Sequence, residues 1–339
     1  MIMISVICPI FNEENYISKC INSILELDYP KDDLEILFVD GMSRDKTRAI
    51  VTEYAAKFPF IRLIDNPDKV VPHGMNAGIR AAKGDIIVRL DAHCEYPTDY
   101  FSKLVRGLKE LPNADNVGGV CLTLPCNETD TAYAIAEVLS SSFGMGNSYF
   151  RTGAKEVMKV DTVPFGCFRK TIFDKVGLYD LDMVRNQDDE LNGRIINAGG
   201  SIYLLPSVEI KYYARDKINK VRKMFYQYGL YKPLGNKKLG SPATLRQFVP
   251  VLFLLGVVIG GALSCLFEWV RYAYFAVLLL YFGLGAYLGI KSGMKHHRPM
   301  LMLLMPYTYL NVHLSYGWGY IKGLYKVTMD KPFSVQANR

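Results

Sequence analysis

Two side chains that can bind a divalent metal follow one apolar stretch of this sequence. Residues 85–90 are typical of a buried β-strand, and Asp91 and His93 come directly after it. Side chains alternate between the two faces of a strand, so residues two apart lie on one face and can share an ion. A carboxylate beside an imidazole suits Mn²⁺ or a similar borderline metal better than Ca²⁺. The pair alone is equally compatible with an ordinary strand end. Other residues of the sequence must therefore decide whether it is a metal site.

A second group of acids opens a helical stretch at 186–198. Acids at a helix start are common because the helix dipole favours negative charge there, by a few tenths to about 1 kcal/mol. The same dipole keeps a carboxylate ionised, as a general base requires. Asp188, the first of three consecutive acids, is therefore a candidate cap and a candidate base with equal weight. Glu190 and Arg194 are four residues apart and are expected to pair.

These side chains need a scaffold that brings them together. Residues 1–125 alternate short, β-branched apolar runs with stretches of helical pattern. That alternation is typical of an α/β fold, in which a mostly parallel sheet has helices on both faces. Four runs are expected as strands: ISVICPIF at 4–11, LEILFVD at 34–40, IRLIDN at 61–66 and DIIVRLD at 85–91.

Polar residues gather where these strands end. They are Pro9 to Asn12, Asp40, Asp65 with Asn66, and Asp91 to His93. Ligands of such a sheet bind at the carboxyl ends of its strands. Neither G-x-G-x-x-G nor G-x-x-x-x-G-K-[ST] is present, which excludes the dinucleotide fingerprint and the P-loop. A nucleotide bound here would be held by acids at its base and ribose. Asp40 can equally be a plain cap of the next helix.

The seven cysteines include no C-x-x-C pair. An odd number with this spacing argues against both a disulfide scaffold and a zinc cage. We therefore expect free thiols in a reducing compartment.

The last third of the chain contains long apolar runs. Residues 247–267 and 272–290 contain no Asp, Glu, Lys or Arg, and each is long enough to cross a bilayer as a helix, for which about 20 residues are needed. Residues 299–321 are uncharged as well, but they include Pro306 and Asn311. That run is a weaker candidate and could be broken, re-entrant or interfacial. The sequence predicts a membrane protein.

Basic residues flank the first two runs. Between 211 and 246 lie ten Lys and Arg and one acid, Asp216, and the second run is followed by KSGMKHHR. The positive-inside rule places both basic segments, and with them residues 1–246, in the cytoplasm. Nucleic acid is the usual alternative partner for such a patch. Its position beside a membrane span favours anionic lipid headgroups instead.

Five motifs, in this order and spacing, carry a family resemblance: VICPIFNEE, FVDGMSRDKT, DIIVRLDAH, PFGCFRK and QDDELNGR. The set resembles family 2 glycosyltransferases with the GT-A fold over roughly residues 3–230. The DAH triplet and the hydrophobic C-terminus are similar to membrane-bound glycosyltransferases of succinoglycan-type exopolysaccharide synthesis. The resemblance implies a nucleotide-diphospho-sugar transferase fold followed by transmembrane helices. The expected divisions are a catalytic domain at 1–210, a basic amphipathic interfacial segment at 211–246, a transmembrane region at 247–325 and a tail at 326–339.

The resemblance also implies roles for individual residues. The uridine half of a UDP-sugar is expected at Pro9, Asn12, Glu13 and Asp40. Asp91 and His93 fall on the family's Asp-x-Asp motif, which implies Mn²⁺ or Mg²⁺ bound together with the UDP-sugar. Asp188 falls on the catalytic base.

Three departures from the family pattern qualify these expectations. His93 replaces the second acid of Asp-x-Asp, which favours Mn²⁺ over Mg²⁺. Gln187 stands where a Glu usually precedes the base. The Gln-x-x-Arg-Trp signature of processive synthases is present only as QYGLY at 227–231, which favours addition of a single sugar.

The expected reaction is an inverting, metal-dependent transfer of one sugar from a UDP-sugar. The resemblance suggests UDP-glucose as the donor. A soluble acceptor would not need two spans and a basic interfacial stretch, so we expect a membrane-associated saccharide carried on polyprenyl diphosphate, in exopolysaccharide or cell-surface glycan synthesis. The expected location is a bacterial-type cytoplasmic membrane, crossed more than once.

Four alternatives stay open. A polyprenyl-phosphate glycosyltransferase would use an ionised phosphate as nucleophile and would not need the base Asp188. The missing Arg-Trp pair and the small number of predicted spans argue against a processive polysaccharide synthase. A small transporter usually has repeated spans and charged residues within the membrane. A non-catalytic membrane scaffold would tolerate the loss of Asp91 or Asp188.

Overall fold

The structure is a computed structural model that describes residues 2–92 and 94–333. Short strands occupy the first two thirds and long helices the last third. The strands are β1 (Ile4–Ile10), β2 (Leu34–Asp40), β3 (Ile61–Asp65), β4 (Ile86–Arg89), β5 (Cys94–Glu95), β6 (Asn116–Leu124), β7 (Met158–Lys159), β8 (Cys167–Arg169) and β9 (Ile202–Tyr213). The helices are α1 (Ile17–Leu25), α2 (Thr47–Lys57), α3 (Val71–Ala81), α4 (Tyr100–Glu110), α5 (Asp130–Ser140), α6 (Ser142–Met145), α7 (Tyr149–Thr152), α8 (Ile172–Val176), α9 (Gln187–Asn197), α10 (Ile218–Leu239), α11 (Val249–Ser264), α12 (Glu268–His296) and α13 (Leu301–Thr328).

The described chain divides into two compact units. The sheet unit contains residues up to Leu122 together with Gly153–Tyr212, and the helical unit contains Thr123–Thr152 and Tyr213–Pro332. Residues 123–152 belong to the helical unit, because the apolar face of α5 packs into the same core as α13. The division at 210/211 stays a prediction. The predicted tail begins within the last turn of α13, and its residues 334–339 lie outside the described part.

One mixed sheet forms the sheet unit, with strand order β3-β2-β1-β4-β8-β6-β9-β5 and β7 paired with β9. The strands β3, β2, β1 and β4 are parallel, as the sequence predicts. Every residue of β2 is buried, as expected for a strand covered on both faces. Beyond β4 the strand β8 runs antiparallel to both of its neighbours, β4 and β6. The parallel half therefore places four carboxyl ends side by side.

Apolar helix faces cover this sheet. The helix α1 directs Ile17, Cys20, Ile21 and Ile24 into a core that also contains β1, β2 and α4. These residues recur every three or four positions, which places them on one side of the helix. At about 25 cal/mol per Å² of apolar surface, burial of such side chains is the main favourable contribution to folding. The core fixes the strands whose ends carry the polar residues.

The helical unit contains unusually close helix contacts. A Cβ atom added to Gly319 of α13 would lie 2.1 Å from the backbone oxygen of Tyr226 in α10, and one added to Gly323 would lie 2.2 Å from that of Leu230. No side chain fits at such distances, so only glycine allows these backbones to approach. Small residues have this function in closely packed helix pairs.

Two helical segments are long and apolar enough to cross a membrane. They are Leu245–Ser264, which includes a 3₁₀ turn before α11, and Glu268–His296. Both correspond to predicted spans, and few of their residues are buried. The third predicted run, 299–321, lies within the continuous helix α13, which has Pro306 in its interior.

A polar cluster fixes the last turns of α12 to α5. Glu137 accepts hydrogen bonds from Ser292 (2.9 Å) and Lys295 (3.1 Å) and lies 2.7 Å from Nε2 of His296. Burial alone would raise the pKa of Glu137, but the bonds from His296, Lys295 and Ser292 outweigh burial and lower it. The ionised carboxylate is therefore the form that the folded protein favours.

We expect Glu137→Gln to lower the thermal midpoint at pH 7, because the amide cannot replace the charged interactions. Hydrogen bonds to charged groups contribute about 1.5–3 kcal/mol, and partial exposure of the cluster reduces this to roughly 1–2 kcal/mol. Since the folded-state pKa of Glu137 is lowered, the difference should be full above pH about 5 and vanish as the pH falls through that pKa. Thermal unfolding of both proteins in detergent between pH 3 and 8 measures it. An equal difference at every pH would contradict the assignment.

Candidate active site

The carboxyl ends of β2 and β3 are joined by one arginine. Asp40, the last residue of β2, is fully buried and accepts hydrogen bonds from Nη1 of Arg48 (2.7 Å) and from the backbone N–H of Ser43 (3.1 Å). The same Nη1 lies 2.8 Å from Oδ1 of Asp65 at the end of β3. The bonds to Asp40 and then Asp65 raise the pKa of the Arg48 guanidinium. Asp40 is thus fixed in position opposite a permanent cation.

The segment that follows β1 is fixed to the segment that follows β2. Asn12 has a φ of 55°, a left-handed conformation that Asn tolerates better than most residues. Its N–H donates to Oγ of Ser43 (2.8 Å), and its Oδ1 accepts the N–H of Arg44 (2.9 Å). The side chain of Asn12 therefore has one defined position at this edge.

Two further predicted residues lie on the same edge. Pro9 pairs with Val39 in the β1–β2 ladder. Glu13 is buried, and its N–H donates to Oγ1 of Thr47 (2.7 Å). The structure thus brings together, on one polar rim, the residues expected at a uridine: Pro9, Asn12, Glu13 and Asp40.

Asp91 follows β4, which pairs directly with β1. Its N–H donates to the hydroxyl of Tyr96 (2.8 Å), and this hydroxyl donates to the Asp91 carbonyl oxygen (3.2 Å). Tyr96 is buried, and burial raises the pKa of its hydroxyl well above the ordinary value. A neutral tyrosine therefore fixes the backbone that carries the half-buried Asp91 side chain. His93, the second predicted metal ligand, lies outside the described residues.

Asp188 contacts a buried cation that the sequence analysis did not identify. Nη1 of Arg89, the last residue of β4, donates to Oδ1 of Asp188. The Arg89 side chain is 9% exposed and that of Asp188 29%. Burial alone would lower the pKa of Arg89, but the charge of Asp188, together with that of Asp91, raises it. Arg89 is therefore a fixed cation whose charge interacts with both carboxylates.

Tyr179 provides the second contact to Asp188. Its hydroxyl donates to the same Oδ1 at 3.3 Å. Burial and the charge of Asp188 raise the pKa of this hydroxyl, which therefore stays a donor. Tyr179 is itself held by Asn76 of α3, whose side chain bonds its N–H (2.9 Å) and its carbonyl oxygen (2.8 Å).

Oδ2 of Asp188 has no hydrogen bond to any residue that the structure describes. The carboxylate is therefore held through one oxygen, and its other oxygen is available to a ligand. Asp188 lies in the first turn of α9. The expected pair of Glu190 and Arg194 is confirmed, with Nε 2.6 Å from Oε1. Arg194 also donates to the carbonyl of Leu178 (2.8 Å), which connects α9 to the segment before Tyr179.

The described residues contain no group of three or more His, Cys, Asp or Glu side chains placed to hold a metal ion. Asp91 offers one carboxylate at the end of β4. Mg²⁺ in phosphate-processing sites is commonly held by one or two carboxylates, with the remaining positions taken by substrate phosphates and water. The donor set on this edge fits that kind of site.

Only one of the two residues that orient Asp188 had a signal in the sequence. Arg89 is a charged residue inside an apolar strand, two positions before Asp91 and so on the same face. Tyr179 has no comparable signal, because a loop and the side chain of Asn76 bring it to α9.

Comparisons with known proteins agree on one family. The profile of Glycosyl transferase family 2 matches residues 5–177. A relative from Methanococcus voltae, dolichyl N-acetyl-α-D-glucosaminyl phosphate 3-β-D-2,3-diacetamido-2,3-dideoxy-β-D-glucuronosyltransferase, is 31% identical over 96% of this chain and 98% of its own length. Succinoglycan biosynthesis protein ExoA of Rhizobium meliloti is 28% identical over 78% of each chain.

Solved structures agree in fold. The mannosyltransferase PcManGT of Pyrobaculum calidifontis, in complex with GDP-Man and Mn²⁺, superposes with a TM-score of 0.60 at 19% identity, over 91% of this chain and 87% of that one. Residues 1–349 of TarS from S. aureus superpose with a TM-score of 0.51 at 13% identity, over 97% of this chain and 92% of that one. At these identities the likeness establishes the fold alone.

Proposed function

Because the chain belongs to glycosyltransferase family 2, we propose that it transfers a single sugar from a UDP-sugar, with inversion, to a lipid-linked saccharide at a membrane surface. The acceptor hydroxyl attacks the anomeric carbon from the face opposite the diphosphate. One in-line displacement inverts the configuration, and no covalent sugar–enzyme intermediate forms.

The arrangement of Asp188 carries this proposal. A general base must hold its proton-accepting atom in a fixed direction and be ionised at the working pH. Arg89 and Tyr179 both hold Oδ1, which leaves Oδ2 for the acceptor hydroxyl. The permanent charge on Arg89 lies directly beside this carboxylate. Tyr179 keeps the carboxylate from rotating, and the clamp from Asn76 restrains Tyr179 in turn.

The rim at β1, β2 and β3 suits the uridine half of the donor. The carboxylate of Asp40 can accept a hydrogen bond from a nucleobase N–H. Its two oxygens would then be shared between the nucleobase, Arg48 and Ser43. Asn12 and Glu13 are fixed by backbone bonds to the segment after β2, so the pocket wall is formed before the ligand arrives. Such preorganisation reduces the ordering cost of binding. Pro9 and Asp40 occupy neighbouring strands of this wall.

Asp91 would hold a divalent cation, with Mn²⁺ as the favoured ion and Mg²⁺ as the alternative, and His93 as a second protein ligand. When bound, this ion would neutralise charge on the departing UDP. The mannosyltransferase with the similar fold was crystallised with Mn²⁺, which supports this part of the proposal.

A lipid-linked acceptor is supported by the membrane helices and by relatives. One relative is named for acting on a dolichyl-linked sugar phosphate and another for succinoglycan biosynthesis. The basic segment 211–246 then lies against anionic headgroups and the acceptor's phosphates. We place the sheet unit on the cytoplasmic side of a bacterial-type inner membrane and propose polyprenyl diphosphate as the acceptor's carrier.

The test is UDP release by the purified full-length protein in lipid, with a panel of UDP-sugars, a lipid extract and either Mn²⁺ or excess EDTA. We expect release to require both the extract and the metal, with UDP-glucose as the leading donor. Removal of Mn²⁺ should reduce the rate at least about 100-fold, because metal stabilisation of the leaving charge is worth several kcal/mol. Full activity in excess EDTA would refute the proposed requirement for a metal ion. Activity with a bare polyprenyl phosphate in place of a saccharide acceptor would favour the phosphate-nucleophile alternative.

We expect Tyr179→Phe to lower kcat about 3- to 10-fold and to leave the donor KM unchanged. The variant removes a single hydrogen bond to Asp188, worth about 0.5–1.5 kcal/mol. Tyr29→Phe is the matched control, since it removes a hydroxyl that bonds the Ile2 carbonyl elsewhere in the sheet unit. Equal losses in both variants would assign the effect to stability rather than to orientation of the base.

A further inference from the structure

The helix α10 cannot lie in lipid hydrocarbon. Its 22 residues include six Lys and Arg side chains spread along its length, and most of them are exposed. They are Lys220, Arg222, Lys223, Lys232, Lys237 and Lys238. Charged side chains facing lipid at membrane depth are strongly disfavoured. The helix must therefore remain at the headgroup level or in water.

The C-terminal half of α13 runs beside α10 in parallel. Gly319 contacts Tyr226 and Gly323 contacts Leu230 at backbone distances that permit no side chain. Two residues beyond the end of α13, Asp330 lies 3.5 Å from Lys237. The two members of each pair are separated by the same number of residues, so the helices keep one register over about three turns. Wherever α10 lies in the membrane, this half of α13 lies with it.

Within the hairpin formed by α11 and α12, the first half of α13 packs along the C-terminal half of α12, where a Cβ atom added to Gly289 would lie 2.5 Å from the Leu301 oxygen, and it reaches the start of α11. His313 Nδ1 lies 2.8 Å from the hydroxyl of Tyr281, and Phe253 of α11 stacks on the same tyrosine at 4.4 Å. Gly317 packs against the backbone of Pro250, close to the start of α11. The contacts with α11 lie at one end of that helix, whereas the opposite end, near Ser264, is joined to α12.

The end of the hairpin near its turn is exposed. The side chains there include Trp269 and Tyr272, which are 74% and 68% exposed. The helix α13 therefore runs beside α12 only from Tyr281 towards the C-terminal end of α12 and does not extend to the turn. A third helix spanning beside the first two would have covered part of this surface.

One side of α13 is apolar and exposed. Leu303, Tyr307, Trp318 and Tyr325 are 50–60% exposed, and their spacings of 4, 11 and 7 residues place them on one stripe. An exposed stripe with Trp and Tyr, next to a basic helix, is typical of a helix that lies in the membrane interface.

We propose that α10 and α13 lie together in the headgroup layer on the cytoplasmic side, and that only the α11–α12 hairpin crosses the hydrocarbon. The stripe on α13 faces the acyl boundary, and the lysines of α10 face lipid phosphates. The positive-inside rule, applied to the lysines and arginine of α10, selects this side of the membrane. The third apolar run, 299–321, is then an interfacial helix, and the end of α13 returns to that same side.

Native cysteines make the test direct. Cys126 and Cys265 are exposed, whereas the other five cysteines are buried. Cys265 lies in the hairpin turn, and Cys126 lies before α5. Thr328→Cys adds an exposed probe at the end of α13. Right-side-out and inside-out vesicles of the full-length protein are treated with a membrane-impermeant maleimide, and Cys126→Ser and Cys265→Ser variants assign each label.

We expect Cys265 to react only in right-side-out vesicles, and Cys126 and the cysteine at 328 only in inside-out vesicles, with at least tenfold selectivity. Labelling at 328 from the same side as Cys265 would make α13 a third span and overturn the proposal. Labelling of Cys126 and Cys265 from one side would show that the hairpin does not cross. A cysteine at 328 that reacts only after detergent extraction would place the end of α13 in hydrocarbon and also refute the proposal.

Discussion

Asp188→Asn is expected to abolish sugar transfer while leaving donor binding nearly intact. Asparagine has the same shape and can still accept the bonds from Arg89 and Tyr179 on one oxygen. It offers an amide nitrogen in place of Oδ2 and cannot take a proton. Since a positioned general base contributes about 10²- to 10⁴-fold, kcat should fall by that factor. UDP release with saturating acceptor measures kcat, and UDP titration by calorimetry measures binding.

The same variant also removes the counter-charge of a buried arginine. Breaking a buried ion pair typically costs about 3–5 kcal/mol, and the partial exposure of Asp188 reduces this cost. Thermal unfolding must therefore be measured beside kcat. Asp189→Asn is the matched control, because it changes the neighbouring acid of the same helix turn. If Asp188→Asn keeps most of its turnover and Asp189→Asn loses it, Asp189 is the base.

Replacing Gly319 and Gly323 together by alanine is expected to separate α10 from α13. Each added Cβ would lie 2.1–2.2 Å from a backbone oxygen of α10, so the helices must move apart by about 1 Å. Overpacking of one core site costs about 1–3 kcal/mol, and two backbone clashes at one interface should cost several kcal/mol. We expect the thermal midpoint in detergent to fall by about 10 °C, at roughly 2–4 °C per kcal/mol for a chain of this size.

Gly256 and Gly283 provide the control. Both lie in apolar helices, and a Cβ atom added to either meets nothing within 4 Å. Alanine is about 0.8–1.0 kcal/mol better than glycine in a helix interior, so the same double substitution there should be neutral or stabilising. A fall in midpoint of equal size at both pairs would mean that glycine flexibility, rather than close packing, is what the helices require.

The strands that carry the rim were predictable because they are local patterns. The runs at 34–40 and 61–66 match β2 and β3 within one residue, since β-branched apolar residues bounded by turn residues define a buried strand without further context. The rule that ligands bind at strand ends then placed Asp40 and Asp91 on one edge. The helix at 186–198 was predictable for a similar reason, from its opening acids and closing glycines.

Contacts between distant segments were not predictable in this way. Nothing in the sequence near Asp188 indicates Arg89, which lies 99 residues earlier and reaches it through strand order. Likewise, the glycines at 319 and 323 are ordinary helix residues until α10 is placed against them. The antiparallel strands β8 and β9 were also not predicted, because their pairing depends on partners far along the chain.

The helical unit is assembled from segments that a ribosome makes far apart in time. Ser141 at the end of α5 bonds Tyr309 of α13, a separation of 168 residues. At about 5–20 residues per second, α5 therefore waits roughly 10–30 s for its partner. During that interval the apolar residues Ile135, Val138 and Leu139 have no α13 to bury them. Nascent chains stalled before residue 301 should consequently recruit chaperones at α5, and release of the complete chain should end that dependence.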